Sequence, residues 1–451
     1  MDRLLDSTLR RAQRYLDGLA ERPVAPSPAA LDRLPGLGGS LPEEPVDPAD
    51  VLALLDELGS PATVASAGPR YFGFVTGGSL PAALAANWLA GAWDQNAGLP
   101  VTSPAGTALE EIALDWLLDV LNLPPGTAGA FVTGATMANF TGLAAARHAV
   151  LAQAGWDVEA HGLFGAPPIT VVVGAEVHVS LLKALALLGL GRERVLAVPT
   201  DGQGRMRADE LPEISGPAIV CLQAGNVNTG AFDPAAEVCA WARGTGAWVH
   251  VDGAFGIWAA AAPSLAGLLA GVNQADSWAT DAHKWLNVPY DSGLAFVRDR
   301  AALLPAMAAS AAYLPEGESR EPMRYTPELS RRARGAEVWA ALRSLGRAGL
   351  ADLIERDCRY ARRFAEGLSA AGYEVLNEVV LNQVLVAFGD DDATNRVMAG
   401  VQAEGTCWCG GTVWHGRAAM RISVSSWATT EDDVEQSLAA IIRVARAETK
   451  A

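Results

Sequence analysis

The chain has 451 residues, half of them hydrophobic, with 34 basic against 51 acidic side chains and a formal net charge of −17. That length can bury a sizeable core in more than one domain, and the acidic balance argues against a nucleic-acid binder, which needs a clustered basic surface. Five cysteines, an odd number, outline no disulfide framework, so a reducing cytoplasm is the natural compartment.

Leu4, Leu5, Leu9, Tyr15, Leu16 and Leu19 recur at helical spacing, which predicts an amphipathic helix over 2–20. The segment lacks the uninterrupted apolar stretch of a signal peptide. An apolar helix outside the main body points to docking on a partner subunit, hence a homodimer. A Pro/Gly-rich arm over 23–48 and a helix over 48–59 follow, closed by Gly59-Ser60-Pro61. From 105 the pattern alternates. A helix is expected over 105–121, and Gly134-Ala135-Thr136 opens another that runs to about 154. Short apolar runs then read as strands at 169–173, 218–222, 247–251, 277–280 and 294–297, with helices at 179–189 and 234–243 between them. Such alternation indicates a mostly parallel sheet with helices on both faces, whose ligands bind at the carboxyl ends of the strands. A long helical stretch at 330–371 comes next. Strand-like pieces at 384–388 and 420–425 then flank a helix at 393–404, and a last helix spans 430–447. The expected domains are an N-terminal helical arm (1–65), a large α/β domain (66–328) and a small α+β domain (329–451). The alanine-rich run at 258–271 is too short and too broken to span a membrane. Cys407-Trp408-Cys409 lacks the second ligand pair that a structural zinc site needs, so no metal is expected.

Four segments carry candidate chemistry. Gly134-Ala135-Thr136 at a helix start offers backbone N–H groups and a hydroxyl to an anion such as a phosphate. His178, after the 169–173 strand, either stacks on a planar group and exchanges protons or simply opens the next helix. Asp252, in His250-Val-Asp252-Gly-Ala254, ends a strand. It either pairs with a protonated ring nitrogen, with small Ala254 letting a flat ring lie close, or caps a helix. Lys284, in Asp281-Ala-His283-Lys284-Trp285, also follows a strand. It is either an ordinary lysine of a surface loop or a buried, neutral amine that forms an imine with an aldehyde cofactor, with His283 offering a donor to its phosphate. The order of the four along the chain, each at an element end, argues more strongly than any one of them.

In these stretches the sequence resembles the group II pyridoxal-phosphate decarboxylases, which include aromatic-L-amino-acid, glutamate, histidine and diaminobutyrate decarboxylases. The resemblance runs from about Pro69 to the C-terminus. It is carried by PRYFGFVTGG (69–78), SPAGTALEE (103–111), VTGATMANFTGLAAAR (132–147), HVDGA (250–254), DAHKWLNVPYD (281–291) and SRRARGAEVWAALRSLG (330–346). It implies an aspartate-aminotransferase-like fold (fold type I) and dimers that share active sites. It implies that Lys284 holds pyridoxal 5′-phosphate as a Schiff base, that Asp252 pairs with the pyridine nitrogen and that His178 stacks on the ring. Ala135, Thr136 and His283, with Asp281, then hold the phosphate, and Asn226 and Asn228 lie in the loop near the cofactor. The implied reaction is decarboxylation of an L-amino acid to an amine and CO₂, Lys284 being displaced by the substrate amine and later restored.

One departure bears on the outcome. The family carries a proton-donating tyrosine on a loop ahead of the arginine-rich helix. Counting back from Arg331-Arg332, that place falls near Pro322, with Tyr325 and Tyr313 displaced from it. Relatives without the tyrosine form an aldehyde, so an aldehyde, carbon–carbon lyase or other pyridoxal-phosphate outcome stands as the alternative, and His178 is the other candidate donor. Tyr71, Phe72 and Phe74, with Trp88 and Trp93, point to an aromatic substrate or to core packing. Arg70 and Arg421 are the arginines available to an acidic one.

Overall fold

The computed structural model describes residues 2–309 and 320–448. Its strands, in chain order, are β1 (Tyr71–Phe72), β2 (Ala128–Val132), β3 (Thr170–Gly174), β4 (Leu196–Val198), β5 (Ala218–Gln223), β6 (Trp248–Asp252), β7 (Ser277–Asp281), β8 (Gly293–Val297), β9 (Glu374–Val375), β10 (Gln383–Ala387), β11 (Trp408–Trp414) and β12 (Arg417–Ser423). The chain divides into two compact units. The larger comprises Ser79–Ala361 and Asn377–Gln383, and the smaller comprises Met1–Gly78, Arg362–Leu376 and Val384–Ala451.

The larger unit is built on a seven-stranded sheet of order β2-β8-β7-β6-β5-β3-β4. β3 to β7 run parallel, and β8 runs antiparallel to both β7 and β2. The five apolar runs expected as strands form β3, β5, β6, β7 and β8. β2, Ala-Gly-Ala-Phe-Val, was not expected: its small residues give a weak strand signal, yet all five are buried. The helix Ala135–Gln153 packs along the sheet through a dense alanine face, with Ala138, Ala144, Ala145 and Ala146 in one core with Val171, Val173, Ile219 and Val297. Burying that face supplies the driving force a helix with little polar surface needs.

The stretch expected as one helix over 330–371 begins later, at Gly335, and is interrupted at Gly346, whose φ of 59° and ψ of −176° lie outside the helical region. Residues 330–334 precede it as irregular chain because Arg331 is committed elsewhere: its guanidinium donates to the carbonyls of Ala97 and Phe131 and pairs with Glu110 at 2.6 Å, both side chains fully buried.

In the smaller unit, β1 lies parallel to β11 at the edge of a sheet of order β1-β11-β12-β10-β9. The segment expected as a separate arm is tied into this unit, with Val24 N–H donating to Gly405 O and Arg70 pairing with Asp433 at 3.0 Å. The two units divide at 78/79, 361/362, 376/377 and 383/384. β1 places residues just past the arm in the C-terminal sheet, a pairing between segments more than 300 residues apart that local pattern does not reveal. No helix among the described residues is long and apolar enough to cross a membrane.

Candidate active site

The carboxyl ends of β6 and β7 lie side by side, with Asp252 the last residue of one and Asp281 the last of the other. β8 then joins β7 to β2, so that Gly293 faces both Asp281 and Val132. A Cβ on Gly293 would lie 2.4 Å from the Cα of Gly134, so only glycine lets the turn after β2 cross there. In this way the Gly134-Ala135-Thr136 turn reaches the ends of β6 and β7.

Asp252 is buried, and each of its carboxylate oxygens accepts one hydrogen bond. Oδ1 accepts from Ala254 N–H at 3.1 Å and Oδ2 from the Asn139 amide at 3.0 Å. Asn139 lies one helical turn beyond Ala135 on the helix Ala135–Gln153, and its amide oxygen meets His250 Nε2 at 2.9 Å. Neither Asn139 nor His250 was singled out from the sequence. Spacing was the available signal: His250 and Asp252 share one face of a strand by period two, and 135 and 139 share one face of a helix.

Lys284 sits three residues beyond β7, its ammonium 3.1 Å from Asp281 Oδ2. Of the three lysines in the chain, 183, 284 and 450, Lys183 is exposed on the helix Val179–Leu187 and residue 450 lies outside the described residues. The Lys284 segment is pinned on both sides. Trp258 Nε1–H donates to Asp281 O at 3.0 Å, Asp281 N–H donates to Ala254 O at 2.9 Å, and Trp285 Nε1–H donates to Asp357 Oδ2 at 2.8 Å.

Asp281 Oδ1 accepts from Ala135 N–H at 2.5 Å. Gly134 has no side chain with which to cap the helix, and Asp281 performs that office from 146 residues away. The Ala135 N–H was expected to face a phosphate. In this structure it is committed to Asp281, and Asp281 serves the lysine and the helix end. His283 stacks on Tyr290 with ring centroids 4.2 Å apart, and burial pulls its imidazole below the ordinary pKa.

His178 follows β3 and caps the helix Val179–Leu187, its Nδ1 accepting from Ser180 N–H at 3.3 Å and lying 2.7 Å from Ser180 Oγ. The turn that carries it is tied to the end of β5 by the Gln223 amide, which donates to Glu176 O. Asn226, in the loop after β5, uses Oδ1 to accept from the N–H groups of Asn228 and Thr229. Tyr71, Phe72 and Phe74 belong to the smaller unit. Tyr71 and Phe74 stack on Trp408 at 5.1 and 5.6 Å, whereas Phe72 is fully buried against Phe364, a core position. Tyr325 is also a core residue, with the Arg320 guanidinium 3.8 Å over its ring, and Pro322 is buried. Tyr313 lies outside the described residues.

The donor set suits pyridoxal phosphate. His283 Nδ1 and Asn226 Nδ2 are buried without a hydrogen-bond partner among the described residues, a costly condition that a polar ligand relieves. A Cβ on Gly134 would come within 3.4 Å of both Asp281 Oδ1 and the His283 ring, so the turn leaves this corner open. An amine, a strand-end carboxylate and a helix N-terminus are the groups that an aldehyde, a pyridine nitrogen and a phosphate require.

Comparison with known proteins gives the family of the chain. The family model of the pyridoxal-dependent decarboxylase conserved domain matches residues 35–389. Tryptophan decarboxylase 1 of Oryza sativa subsp. japonica is 29% identical over 413 residues, covering 82% of this chain and 79% of the relative. Phenylacetaldehyde synthase of Arabidopsis thaliana is 28% identical over 367 residues, covering 75% and 74%. Among solved structures, Oryza sativa TDC with PLP and tryptamine superposes with a TM-score of 0.91 at 25% identity, covering 99% of this chain and 97% of that one.

Proposed function

Because the chain belongs to the pyridoxal-dependent decarboxylase family, we propose that it removes the α-carboxylate of an aromatic L-amino acid, with Lys284 as the lysine that carries pyridoxal phosphate. The reading rests above all on one juxtaposition: the Lys284 ammonium lies 3.1 Å from Asp281 at a strand end whose neighbour carries Asp252. Bound there, the cofactor supplies an electron sink for the charge left when CO₂ departs. The protein's own groups do the rest. Asp252 holds a proton on the ring nitrogen, His283 and Thr136 hold the phosphate, and Ala254 leaves room for a flat ring. Asp281 keeps Lys284 at the edge, and His178 is the residue that would stack on the ring. In the net reaction CO₂ leaves Cα and one proton arrives at the same carbon, and His178 is the group proposed to deliver it.

Aromatic selectivity is supported by the likeness to a tryptophan decarboxylase. A homodimer is supported by the helix Asp2–Asp17, which exposes Leu5, Leu9 and Leu16. A cytoplasmic setting is supported by five free, buried cysteines.

The test is a panel of aromatic, acidic and diamino L-amino acids assayed for CO₂, amine, aldehyde and H₂O₂. Equal yields of amine and CO₂ from an aromatic substrate are expected. Aldehyde and H₂O₂ without amine would establish the second reading, decarboxylation coupled to oxidation by O₂. That reading is favoured by Pro322 at the place of the donor tyrosine and by the likeness to phenylacetaldehyde synthase.

A further inference from the structure

Behind Asp252 runs a chain of buried polar groups that the proposed reaction does not use. Asn139 Nδ2 donates to Asp252 Oδ2 at 3.0 Å, and Asn139 Oδ1 lies 2.9 Å from His250 Nε2. His250 Nδ1 lies 2.8 Å from Ser277 Oγ, which accepts from Trp248 Nε1–H at 2.8 Å. The fold makes the chain by register. Trp248, His250 and Asp252 lie on one face of β6, and Ser277 is the direct cross-strand partner of His250 on β7. Asn139, His250 and Ser277 are fully buried.

The two ends fix the direction of every bond between them. An indole N–H can only donate, and a carboxylate can only accept. The Asn139 amide must therefore turn its NH₂ to Asp252 and its oxygen to His250, because the reverse would set two oxygens against each other. His250 must then carry its proton on Nε2 and accept from the Ser277 hydroxyl on Nδ1. All the donors point towards Asp252. Burial adds to this by holding the imidazole neutral, its pKa pushed down to about 3.

The helix gives up material to admit the ring. A Cβ on Gly142 would lie 2.8 Å from His250 Cε1, so Gly142 interrupts an alanine-rich helix just where the imidazole enters. Glycine in a helix interior is destabilising relative to alanine. An apolar core at this point would avoid both that cost and the need to satisfy four polar side chains.

We propose that Asn139 and His250, backed by Ser277 and Trp248, are positioning residues that hold the Asp252 side chain in one orientation for the ring nitrogen of the cofactor. The proposal rests on the reading that Asp252 pairs with that nitrogen. It sets His250 apart from an ordinary core histidine, because what it transmits is the donor–acceptor direction of its two nitrogens rather than its volume.

Glutamine can reproduce that direction, with an amide N–H towards Asn139 and an oxygen towards Ser277, whereas leucine cannot. In His250→Leu, kcat is expected to fall about tenfold or more and pyridoxal-phosphate affinity to weaken by a similar factor, the loss of one hydrogen-bonded link to a charge, with KM little changed. His250→Gln should recover most of both. Affinity is read from quenching of tryptophan fluorescence as cofactor is added to apoprotein, and folding from circular dichroism. Equal kcat and affinity in the two variants would overturn the relay. A measurement on the unsubstituted apoprotein covers the case in which His250→Leu does not fold. With ¹⁵N-labelled histidine, the resonance that disappears in His250→Gln should report an Nε2–H tautomer at pH 7; an Nδ1–H tautomer or an imidazolium overturns the proposal. Failure of the underlying reading shows separately, as unsubstituted protein that takes up no pyridoxal phosphate.

Discussion

Asp252 and Asp281 end neighbouring strands of one sheet, both buried, and their surroundings divide them. Asp252 faces neutral donors only, an amide and a backbone N–H, backed by a chain that reaches Trp248. Asp281 faces the Lys284 ammonium and the first N–H of a helix. The first carboxylate is held for a charge that arrives from outside the chain. The second spends its charge on a lysine and a helix end that the chain provides. The lesson is that position at a strand end gives a residue its opportunity, and that the partners one face deeper decide its work.

The largest effect tests the group that separates the two aspartates. Lys284→Ala should abolish turnover, and borohydride trapping followed by peptide mapping should find no cofactor adduct. With only residues 183 and 450 as other lysines, an adduct at either would reassign the attachment site. Asp252→Asn keeps the shape and removes the charge. A drop in kcat on the order of 10²–10³ is expected, the usual effect of losing one preorganised electrostatic contact to the reacting system. Unchanged kcat would take Asp252 out of the reaction. Asp281→Asn should be milder. It keeps an oxygen for Ala135 N–H and loses only the charge opposite Lys284, so cofactor affinity should weaken about tenfold, one charge-assisted hydrogen bond, while kcat falls far less than in Asp252→Asn. Equal losses in the two asparagine variants would erase the division between them.

Much of this edge was legible in the sequence, for identifiable reasons. β3, β5, β6, β7 and β8 are short apolar runs set between turns, and Asp252 and Lys284 stand at or just beyond the ends of two of them, so their level in the sheet follows from their place in the chain. The partners were not legible. Asn139 and His250 are 111 residues apart, and only the packing of the helix Ala135–Gln153 on β6 and β7 brings them together. Asp281 was expected beside a phosphate, but its bond to Ala135 depends on Gly293 letting the Gly134 turn cross β8. β2 and β1 went unseen because Ala-Gly-Ala and a two-residue strand carry almost no local signal, and their pairing is entirely non-local. Tyr325 looked like a displaced loop residue from its spacing, and only its burial beneath Arg320 shows it to be core.

A third carboxyl, Asp357, sharpens the contrast from the other side, because it is an acid that the fold keeps neutral. It receives Trp285 Nε1–H at 2.8 Å on one oxygen, and the other has no partner among the described residues. Burial pushes its pKa up to about 8 from the ordinary 3.8. Between those two values the folded protein holds a proton that the unfolded chain has released. Stability from this group is therefore fully present below about pH 4, falls as pH rises and levels off above about pH 8. Asp357→Asn keeps an acceptor for Trp285 and cannot ionise. Its melting temperature should gain steadily on that of the unsubstituted protein from pH 5 to pH 8 and then run parallel to it, with turnover at pH 7 nearly unaffected. A constant gap across that range would mean that Asp357 is already ionised in the folded protein, and that the Trp285 contact beside Lys284 is held by a charge, as at Asp281, rather than by a neutral acid.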